Sequence, residues 1–285
     1  MEVITTVSEM RQKVRAARFA AKWVGLVPTM GALHEGHGSL IQRAVSECDT
    51  VIVSIFVNPT QFGPNEDLAR YPRTLDADIR YCEKLGAHWI FAPSVEEMYP
   101  QEQLAWVNVE KVTEGLCGAR RPGHFRGVAT VCAKLFNIIQ PDVAYFGQKD
   151  AQQAVVIQTM VRDLNFPLEI RVCPTVRDKD GLALSSRNQY LSKAERKKAL
   201  CLSKALQKCR ELIQSGQTNP DEIRRAVLPF FDQPEVFLEY FELVDPQTLR
   251  PLAEIRGPVL AAAAARVGTT RLIDNLLIDL QTPSA

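Results

Sequence analysis

The chain has 285 residues, of which 46% are hydrophobic and 24% are charged, and its 34 Lys and Arg nearly balance 33 Asp and Glu. A net charge near +1 excludes a protein that binds nucleic acid through bulk positive charge. The apolar fraction excludes a disordered chain. The length is typical of about two domains.

No segment has the composition of a membrane anchor or a secretion signal. Charged residues interrupt the first 22 positions, and the longest apolar runs are far shorter than the ~18 residues that span a bilayer. The seven cysteines are odd in number and lack C-x-x-C spacing, which indicates reduced thiols rather than a disulfide framework or a zinc site. We therefore expect a cytoplasmic protein that binds neither membranes nor nucleic acid.

The first 175 residues alternate short apolar runs with helical patterns. In chain order they predict a strand at Trp23–Pro28, a helix at 38–48, a strand at Val51–Val57, a helix at Asp76–Leu85, a strand at His88–Ala92, a helix at Val128–Ile139, a strand at Val143–Phe146, a helix at Ala151–Leu164 and a strand at Leu168–Val172. This alternation indicates an α/β fold whose parallel sheet has helices on both faces. Ligands of such sheets bind beyond the carboxyl ends of the strands.

The remaining residues predict a smaller α+β domain. Its elements are a helix that the Ser192/Glu195 capping box opens and that runs to about Gly216, a helix begun by Asn219-Pro220, and a strand at Val236–Val244. The alanine run Ala261–Ala265 is equally compatible with a helix and a strand. The predicted domains are therefore 1–175 and 176–285.

The strongest local feature is the segment Val27–His37 (VPTMGALHEGH), which ends the first strand and opens the first helix. Such a junction presents free backbone N–H groups and the positive end of a helix dipole, which suits an anion. His34 and His37 lie three residues apart and can face one phosphate group. The segment is neither a Walker A loop, nor a zincin motif, nor a GxGxxG fingerprint. Because paired histidines also occur by chance, the pair alone leaves a structural role open.

This segment resembles the H-x-G-H signature of the nucleotidylyltransferase superfamily and, in its extended form, the pantoate–β-alanine ligase family. Further blocks match that family in order: Phe56–Gly63 (FVNPTQFG), Tyr71–Leu75 (YPRTL), Arg121–Gly127 (RPGHFRG), Phe146–Gln153 (FGQKDAQQ), Asp180–Tyr190 (DGLALSSRNQY), Ala265–Gly268 (ARVG) and Arg271–Asp274 (RLID). The resemblance covers essentially the whole chain. It departs from the family pattern at Gln148, where a glutamate is usual.

The resemblance implies a Rossmann-like domain for nucleotide and pantoate, with a small C-terminal lid. The implied reaction joins pantoate to β-alanine with ATP and Mg²⁺, passes through pantoyl adenylate, and releases AMP and pyrophosphate. A homodimer is also implied. A strand such as Val107–Val112 and an apolar helix are both candidates for its interface, which the sequence does not identify. ATP oxygens and water would hold the Mg²⁺, with Asp78 and Glu66 as outer groups and no direct protein ligand.

The resemblance also assigns site residues by position in the motifs. The catalytic residues would be His34, His37 and Lys149. The ATP-binding residues would be Met30, Gly31, His34, His37, Gly147, Lys149, Asp150, Val176, Leu184, Ser185, Ser186 and Arg187. Gln61 and Gln153 would bind pantoate, and Gln61 would also bind β-alanine. Asn58, Tyr71 and Arg121 would be neighbours of the pantoate site.

Two other functions fit parts of this pattern. Another H-x-G-H nucleotidylyltransferase would transfer a nucleotide to a phosphorylated acceptor, which calls for extra Arg or Lys where this chain has Gln61 and Gln153. A non-catalytic nucleotide sensor on the same fold would bind ATP without turnover. The presence of His34, His37 and Lys149 favours an enzyme over a sensor.

Overall fold

Residues 1–64 and 66–279 are described by a computed structural model. Its strands are β1 (Glu2–Ile4), β2 (Val24–Thr29), β3 (Thr50–Ile55), β4 (Trp89–Phe91), β5 (Val143–Gly147), β6 (Glu169–Cys173), β7 (Val236–Val244), β8 (Val259–Val267) and β9 (Thr270–Ile278). Its helices are α1 (Val7–Phe19), α2 (Glu35–Glu47), α3 (Leu75–Lys84), α4 (Val95–Met98), α5 (Leu116–Arg120), α6 (His124–Ile139), α7 (Ala151–Asp163), α8 (Lys193–Gln214) and α9 (Pro220–Val227).

The first six strands form one parallel sheet in the order β1-β4-β3-β2-β5-β6. From β2 the chain proceeds outward to β3 and β4, whereas β5 returns to pair with the other side of β2. The strand order therefore reverses between β2 and β5. In open parallel sheets this reversal creates a crevice at the carboxyl ends of the two strands, where ligands bind.

Both faces of this sheet are covered, as the apolar runs predict. Val27 and Val51 belong to a core cluster that includes residues of α2 and α3, while Leu26, Ile52 and Ala144, which have the opposite parity, are equally inaccessible. Because successive strand residues point to opposite faces, burial of both parities requires cover on each side. The predicted Rossmann-like parallel sheet is confirmed.

Strands β7, β8 and β9 form a separate antiparallel sheet, in that order. Helices α8 and α9 contribute to its core cluster, and α8 begins at the predicted capping box, in which Ser192 and Glu195 each accept the other's backbone N–H. The alanine run Ala261–Ala265 is a strand, because β8 is the central strand and pairs along both edges. The smaller α+β domain that the sequence predicts therefore has a three-stranded sheet.

The described chain divides into two compact units. The first comprises 1–110, 121–148 and 156–174, and the second comprises 111–120, 149–155 and the residues from 175 onward. The second unit thus includes two segments that lie within the predicted 1–175 domain. The end of the predicted 176–285 domain, residues 280–285, lies outside the described residues.

Several elements differ from the sequence prediction, among them strand β9 and the short helices α4 and α5, which are additional. Strand β1 and helix α1 are additional, and the buried residues Met10, Val14 and Ala17 of α1 have helical spacing that its many charges obscure. The predicted strand at Val107–Val112 is wrong, because that segment pairs with no strand of the described chain. The N–H of Val107 instead donates to the hydroxyl of Thr130, at 3.0 Å. Within 1–64 and 66–279, no helix has the length and hydropathy that crossing a membrane requires.

Candidate active site

The loop between β2 and α2 is held in an unusual backbone conformation by a carboxylate from α3. Gly31 and Ala32 both have positive φ, +82° and +49°, and for alanine this costs about 1–2 kcal/mol. Asp78, 3% exposed, accepts the N–H groups of Ala32 and Leu33 at 3.0 and 2.8 Å and the Thr74 hydroxyl at 3.1 Å. The carboxylate therefore compensates for the strained turn and sets the path of the chain into α2.

Changing Asp78 to asparagine is expected to destabilise the protein by about 1–3 kcal/mol, because an amide NH₂ would replace one of two oxygens that both accept protein donors. Urea unfolding of D78N measures this loss. The matched control is D76N, because Asp76 is an exposed carboxylate in the first turn of the same helix. Its free energy of unfolding should stay within about 0.5 kcal/mol of the parent value. Equal stability of D78N and the parent would contradict this role.

The two histidines of the loop accept backbone hydrogen bonds through the same ring nitrogen. His34 caps α2, and its Nδ1 accepts the N–H of Gly36 at 3.1 Å, while Nδ1 of His37 accepts the N–H of His34 at 3.4 Å. The ring centroids lie 4.2 Å apart. A neutral imidazole whose Nδ1 accepts carries its proton on Nε2. The geometry thus assigns an Nε2–H donor to each ring, beside the positive end of the α2 dipole.

The side-chain amide of Gln61 is oriented by its neighbours. Oδ1 of Asn58 accepts hydrogen bonds from the Tyr99 and Thr60 hydroxyls, at 2.9 and 3.0 Å, so its Nδ2 must donate. That Nδ2 donates to Oε1 of Gln61 at 3.0 Å. The Gln61 NH₂ group is consequently directed away from Asn58, and it lies 3.2 Å from the sulfur of Met30. The structure therefore brings together one predicted pantoate residue and one predicted ATP residue.

The Arg121–Gly127 motif supports the backbone of the same turn. Nδ1 of His124 lies 2.8 Å from the Gln61 carbonyl oxygen, and its Nε2 lies 3.0 Å from Nη1 of Arg121. Arg121 also donates two hydrogen bonds to Glu66, at 2.7 and 2.5 Å. Burial alone raises the pKa of Glu66, but the hydrogen bonds and charge of Arg121 outweigh it and hold that pKa below its ordinary 4.5. Glu66 therefore stays ionised and keeps Arg121 against the turn.

Gly127 lets helix α6 approach the Gln61 turn closely. A Cβ at this position would lie 2.4 Å from the carbonyl oxygen of Thr60 and 2.8 Å from Cα of Gln61. We expect G127A to lose about 1–3 kcal/mol of unfolding free energy through overpacking. Urea unfolding compares it with G257A, whose added Cβ would meet no described atom within 4 Å and should cost little. Equal midpoints for the two variants would show that the turn has room to move.

The other predicted site residues of the first unit have simpler surroundings. Gly147 ends β5, so the Gly147–Asp150 block starts at the carboxyl end of the strand that pairs with β2. Tyr71 is buried and packs edge-on against Phe62, with ring centroids 5.8 Å apart. The motif spacing alone does not predict this ring contact.

In the second unit, Lys149 and Asp150 form a 3-10 turn that leads into α7. The Lys149 ammonium lies 3.8 Å from the Asp150 carboxylate, and its side chain is 20% exposed. The next residues enter α7, where Gln153 is half-buried. The neighbouring Gln152 is buried and donates to the carbonyls of Val112 and Gly115, at 2.9 Å each, which anchors this turn within its unit.

The predicted adenine and phosphate residues near 176–187 lie on one continuous segment. The N–H of Leu184 donates to the Val176 carbonyl at 3.0 Å, so these two residues face each other across a short hairpin. Ser185 then caps a 3-10 turn by accepting the N–H of Arg187 at 3.3 Å. The hairpin thus delivers two hydroxyls and a guanidinium in a single turn, a donor set that suits phosphate oxygens.

The residues that position this site are only partly predictable from the sequence. The resemblance places Asn58 near the pantoate site and Asp78 and Glu66 as outer groups near Mg²⁺. In the structure both carboxylates accept hydrogen bonds from protein donors, which the sequence does not predict. No local signal links Asp78 to Leu33, 45 residues earlier. The one available clue is Gly31, which in a tight strand-to-helix loop indicates a positive φ that something must support.

Comparisons with known proteins agree on one family. The family model for pantoate–β-alanine ligase matches residues 2–277. A curated pantothenate synthetase of Moorella thermoacetica is 55% identical over 281 residues, which cover 98% of this chain and 99% of that protein. One from Acetivibrio thermocellus is 51% identical over 281 residues, covering 98% and 100%.

Solved structures give the same result. A crystal structure of the pantothenate synthetase from Thermus thermophilus is 48% identical, has a TM-score of 0.91, and is matched over 97% of this chain and 99% of that one. The pantoate–β-alanine ligase of Francisella tularensis, crystallised with β-γ ATP and β-alanine, is 35% identical with a TM-score of 0.80 over 97% of each chain. The resemblance of the loop and its companion motifs is thereby confirmed, and the chain belongs to the pantoate–β-alanine ligase family, whose members are pantothenate synthetases.

Proposed function

We propose that this protein condenses pantoate with β-alanine to form pantothenate, using ATP and releasing AMP and pyrophosphate. The observation that carries the proposal is the match to pantothenate synthetases over nearly the whole chain. The Francisella tularensis relative was crystallised with an ATP compound and β-alanine, which correspond to two of the three proposed substrates. The anion-binding geometry of the β2–α2 loop supports ATP as the substrate that activates pantoate.

In the first proposed step, a pantoate carboxylate oxygen attacks the α-phosphorus of ATP. A P–O bond forms to give pantoyl adenylate, and the bond to the β-phosphate breaks to release pyrophosphate. Negative charge accumulates on the phosphate oxygens as this happens. We propose that the Nε2–H groups of His34 and His37 and the ammonium of Lys149 donate hydrogen bonds that stabilise that charge.

In the second step, the amine of β-alanine attacks the adenylate carbonyl carbon. The amide bond forms, the amine loses a proton, and AMP leaves with one of the original carboxylate oxygens. No enzyme nucleophile takes part. Burial raises the pKa of Cys82, Cys132 and Cys209 to about 12, so these thiols stay protonated and unreactive near neutral pH.

Pantoate recognition is assigned to Gln61 and Gln153. A neutral amide can bind hydroxyls and a carboxylate without forming the salt bridge that would weaken the attacking oxygen. Asn58 donates to Oε1 of Gln61, so the NH₂ group of Gln61 is the part of that amide that can donate to a substrate. A donor at this position suits an anionic substrate. Gln61 is also proposed to contact β-alanine. ATP would further contact Met30, Gly31, Gly147, Asp150, Val176 and Leu184–Arg187.

Mg²⁺ is expected to accompany ATP. Asp78 and Glu66 are proposed only as outer groups that do not bind the ion directly, because their oxygens already accept hydrogen bonds from backbone or arginine donors. We propose that ATP oxygens and water hold the ion. We also propose that the protein is a cytoplasmic homodimer, an oligomeric state that sedimentation of the purified chain would test.

The proposed function is tested with purified protein, ATP, Mg²⁺, pantoate and β-alanine. The complete mixture should yield AMP, pyrophosphate and pantothenate in equal amounts. Without pantoate no pyrophosphate should form, and without β-alanine pyrophosphate should stop near one equivalent per active site. Absence of AMP from the complete mixture would refute the proposal. AMP transfer to a phosphorylated acceptor in place of pantoate would identify another nucleotidylyltransferase.

A further inference from the structure

Strand β9 carries two neighbouring polar side chains that are almost fully buried, Asp274 and Asn275, 3% and 5% exposed. Successive residues of a strand point to opposite faces of its sheet. Asp274 is paired with Ala263, a member of the core shared with α8, and Asn275 is paired with Ala262. Buried polar groups persist when they are hydrogen-bonded, so the partners of these two side chains explain their presence.

Asp274 holds the base of the hairpin that leads to the Ser185–Arg187 turn. Its carboxylate accepts two hydrogen bonds from the guanidinium of Arg177, at 2.6 and 2.8 Å, in the bidentate arrangement that gives the best-defined geometry. Arg177 also donates to the carbonyl of Gly181 at 3.1 Å and forms an antiparallel bridge with Ala183. Ala183 lies two residues before Ser185, so the position of Arg177 determines where the hairpin leads into the Ser185–Arg187 turn.

Asn275 holds the other candidate phosphate-binding segment of this unit. Its Nδ2 donates to the backbone carbonyl of Lys149 at 2.9 Å. This bond is made to the backbone of Lys149 and not to its side chain. It therefore fixes the position of the Cα atom that carries the lysine side chain. It leaves the charged group to interact with a ligand.

We propose that Asp274 and Asn275 are positioning residues for ATP. Adjacent in one strand, they keep the Lys149 turn and the Ser185–Arg187 turn in a single arrangement on which triphosphate binding depends. The inference rests on the proposed function, since it takes both turns to contact ATP. Small displacements of such groups cost catalysis far more than stability, because the reacting atoms require alignment within about 0.5 Å.

The first test replaces Asn275 by alanine. N275A should lower kcat/KM for ATP about tenfold, because the Lys149 carbonyl loses the hydrogen bond from Nδ2 of Asn275. Its KM for β-alanine should stay within about twofold of the parent value. N137A is the control for loss of an amide-to-carbonyl hydrogen bond elsewhere, because the exposed Asn137 donates to the backbone carbonyl of Ala133 at 3.0 Å, within helix α6. A purely structural role would give both variants the same kinetic profile.

A double variant separates positioning of Lys149 from a general loss of order. If Asn275 acts through Lys149, N275A should have almost no further effect on kcat/KM for ATP in a K149A background. A tenfold effect that persists in that background would overturn this part of the proposal.

The second test replaces Asp274 by asparagine, which preserves shape but removes the charge that pairs with Arg177. D274N should weaken binding of a non-hydrolysable ATP analogue at least tenfold in calorimetry. E242Q is its control, because the Glu242–Arg224 pair of the same unit joins β7 to α9 instead of holding either turn. If D274N fails to fold, R177K tests the same ion pair and should also weaken binding of the ATP analogue.

The binding readout keeps this inference separate from the proposed function. Parent protein that binds the analogue but makes no pantothenate would refute the function, and weakened binding by N275A would still support the positioning role. The inference would be overturned if N275A bound the analogue with the affinity of the parent and had the same kcat/KM, and if D274N or R177K also bound the analogue like the parent. The proposed function would not be affected by that result.

Discussion

Replacing Lys149 by alanine is expected to lower kcat for pantothenate formation by about two to three orders of magnitude, the usual effect of removing one donor that acts on developing charge. Lys149 follows the carboxyl end of β5 in a 3-10 turn, and its ammonium pairs with the Asp150 carboxylate at the long distance of 3.8 Å. A weakly paired ammonium loses little when it turns to a phosphate. Quench-flow measurement of pyrophosphate release isolates the step concerned.

The controls for K149A address charge and fold. K204A removes an exposed lysine from α8 and should keep parent activity. K149R should recover only part of the rate, because a planar guanidinium does not reproduce a compact ammonium. Unfolding midpoints should be alike for all these variants. Parent-like pyrophosphate release by K149A would remove Lys149 from the catalytic residues without refuting the reaction itself.

The second large effect is expected at His37, and its size depends on the replacement. The assigned tautomer makes Nε2–H the donor, while Nδ1 is occupied by the N–H of His34. Glutamine can place an N–H near the Nε2 position, whereas asparagine reproduces only the Nδ1 acceptor. H37N should therefore lose about two to three orders of magnitude in kcat, and H37Q should retain clearly more activity than H37N.

His88 offers a matched control for these two variants. Its Nδ1 also accepts a backbone hydrogen bond, from the N–H of Val51 at 3.1 Å, but it lies at the start of β4, on the amino-end side of that strand. H88Q should keep parent kinetics. Equal activity of H37N and H37Q would contradict the Nε2–H assignment, and full activity of both would exclude His37 from catalysis.

The parts of the fold that could be predicted are those with strong local signals. The β-branched run at 51–57 lies largely in β3, and the Ser192/Glu195 capping box starts α8 as expected. The alanine run had no decisive local preference, and its strand conformation comes from pairing on both edges. The Val107–Val112 segment has strand-like composition but pairs with no strand of the described chain, so its apolar pattern did not produce a strand.

The candidate site likewise has parts that the sequence predicts and parts that it does not. The His34/His37 loop is recognisable because its residues are contiguous. The groups that position the site come from distant segments of the chain. Asp78 holds the His34/His37 loop, and Asn275 holds the Lys149 turn, which lies 126 residues away in the sequence. A single sequence carries no signal for these contacts, since an isolated aspartate or asparagine is usually a solvated or capping residue.

We propose that pantoate is activated by formation of a bond between its carboxylate and the α-phosphate of ATP. The most direct measurement is mass spectrometry of AMP formed from pantoate labelled with ¹⁸O in its carboxylate, in a complete reaction with β-alanine. Because amide formation breaks the bond between carbon and the bridging oxygen, each AMP should carry one ¹⁸O atom. Unlabelled AMP would contradict the proposed adenylate. Formation of ADP together with ¹⁸O-labelled inorganic phosphate would contradict it as well.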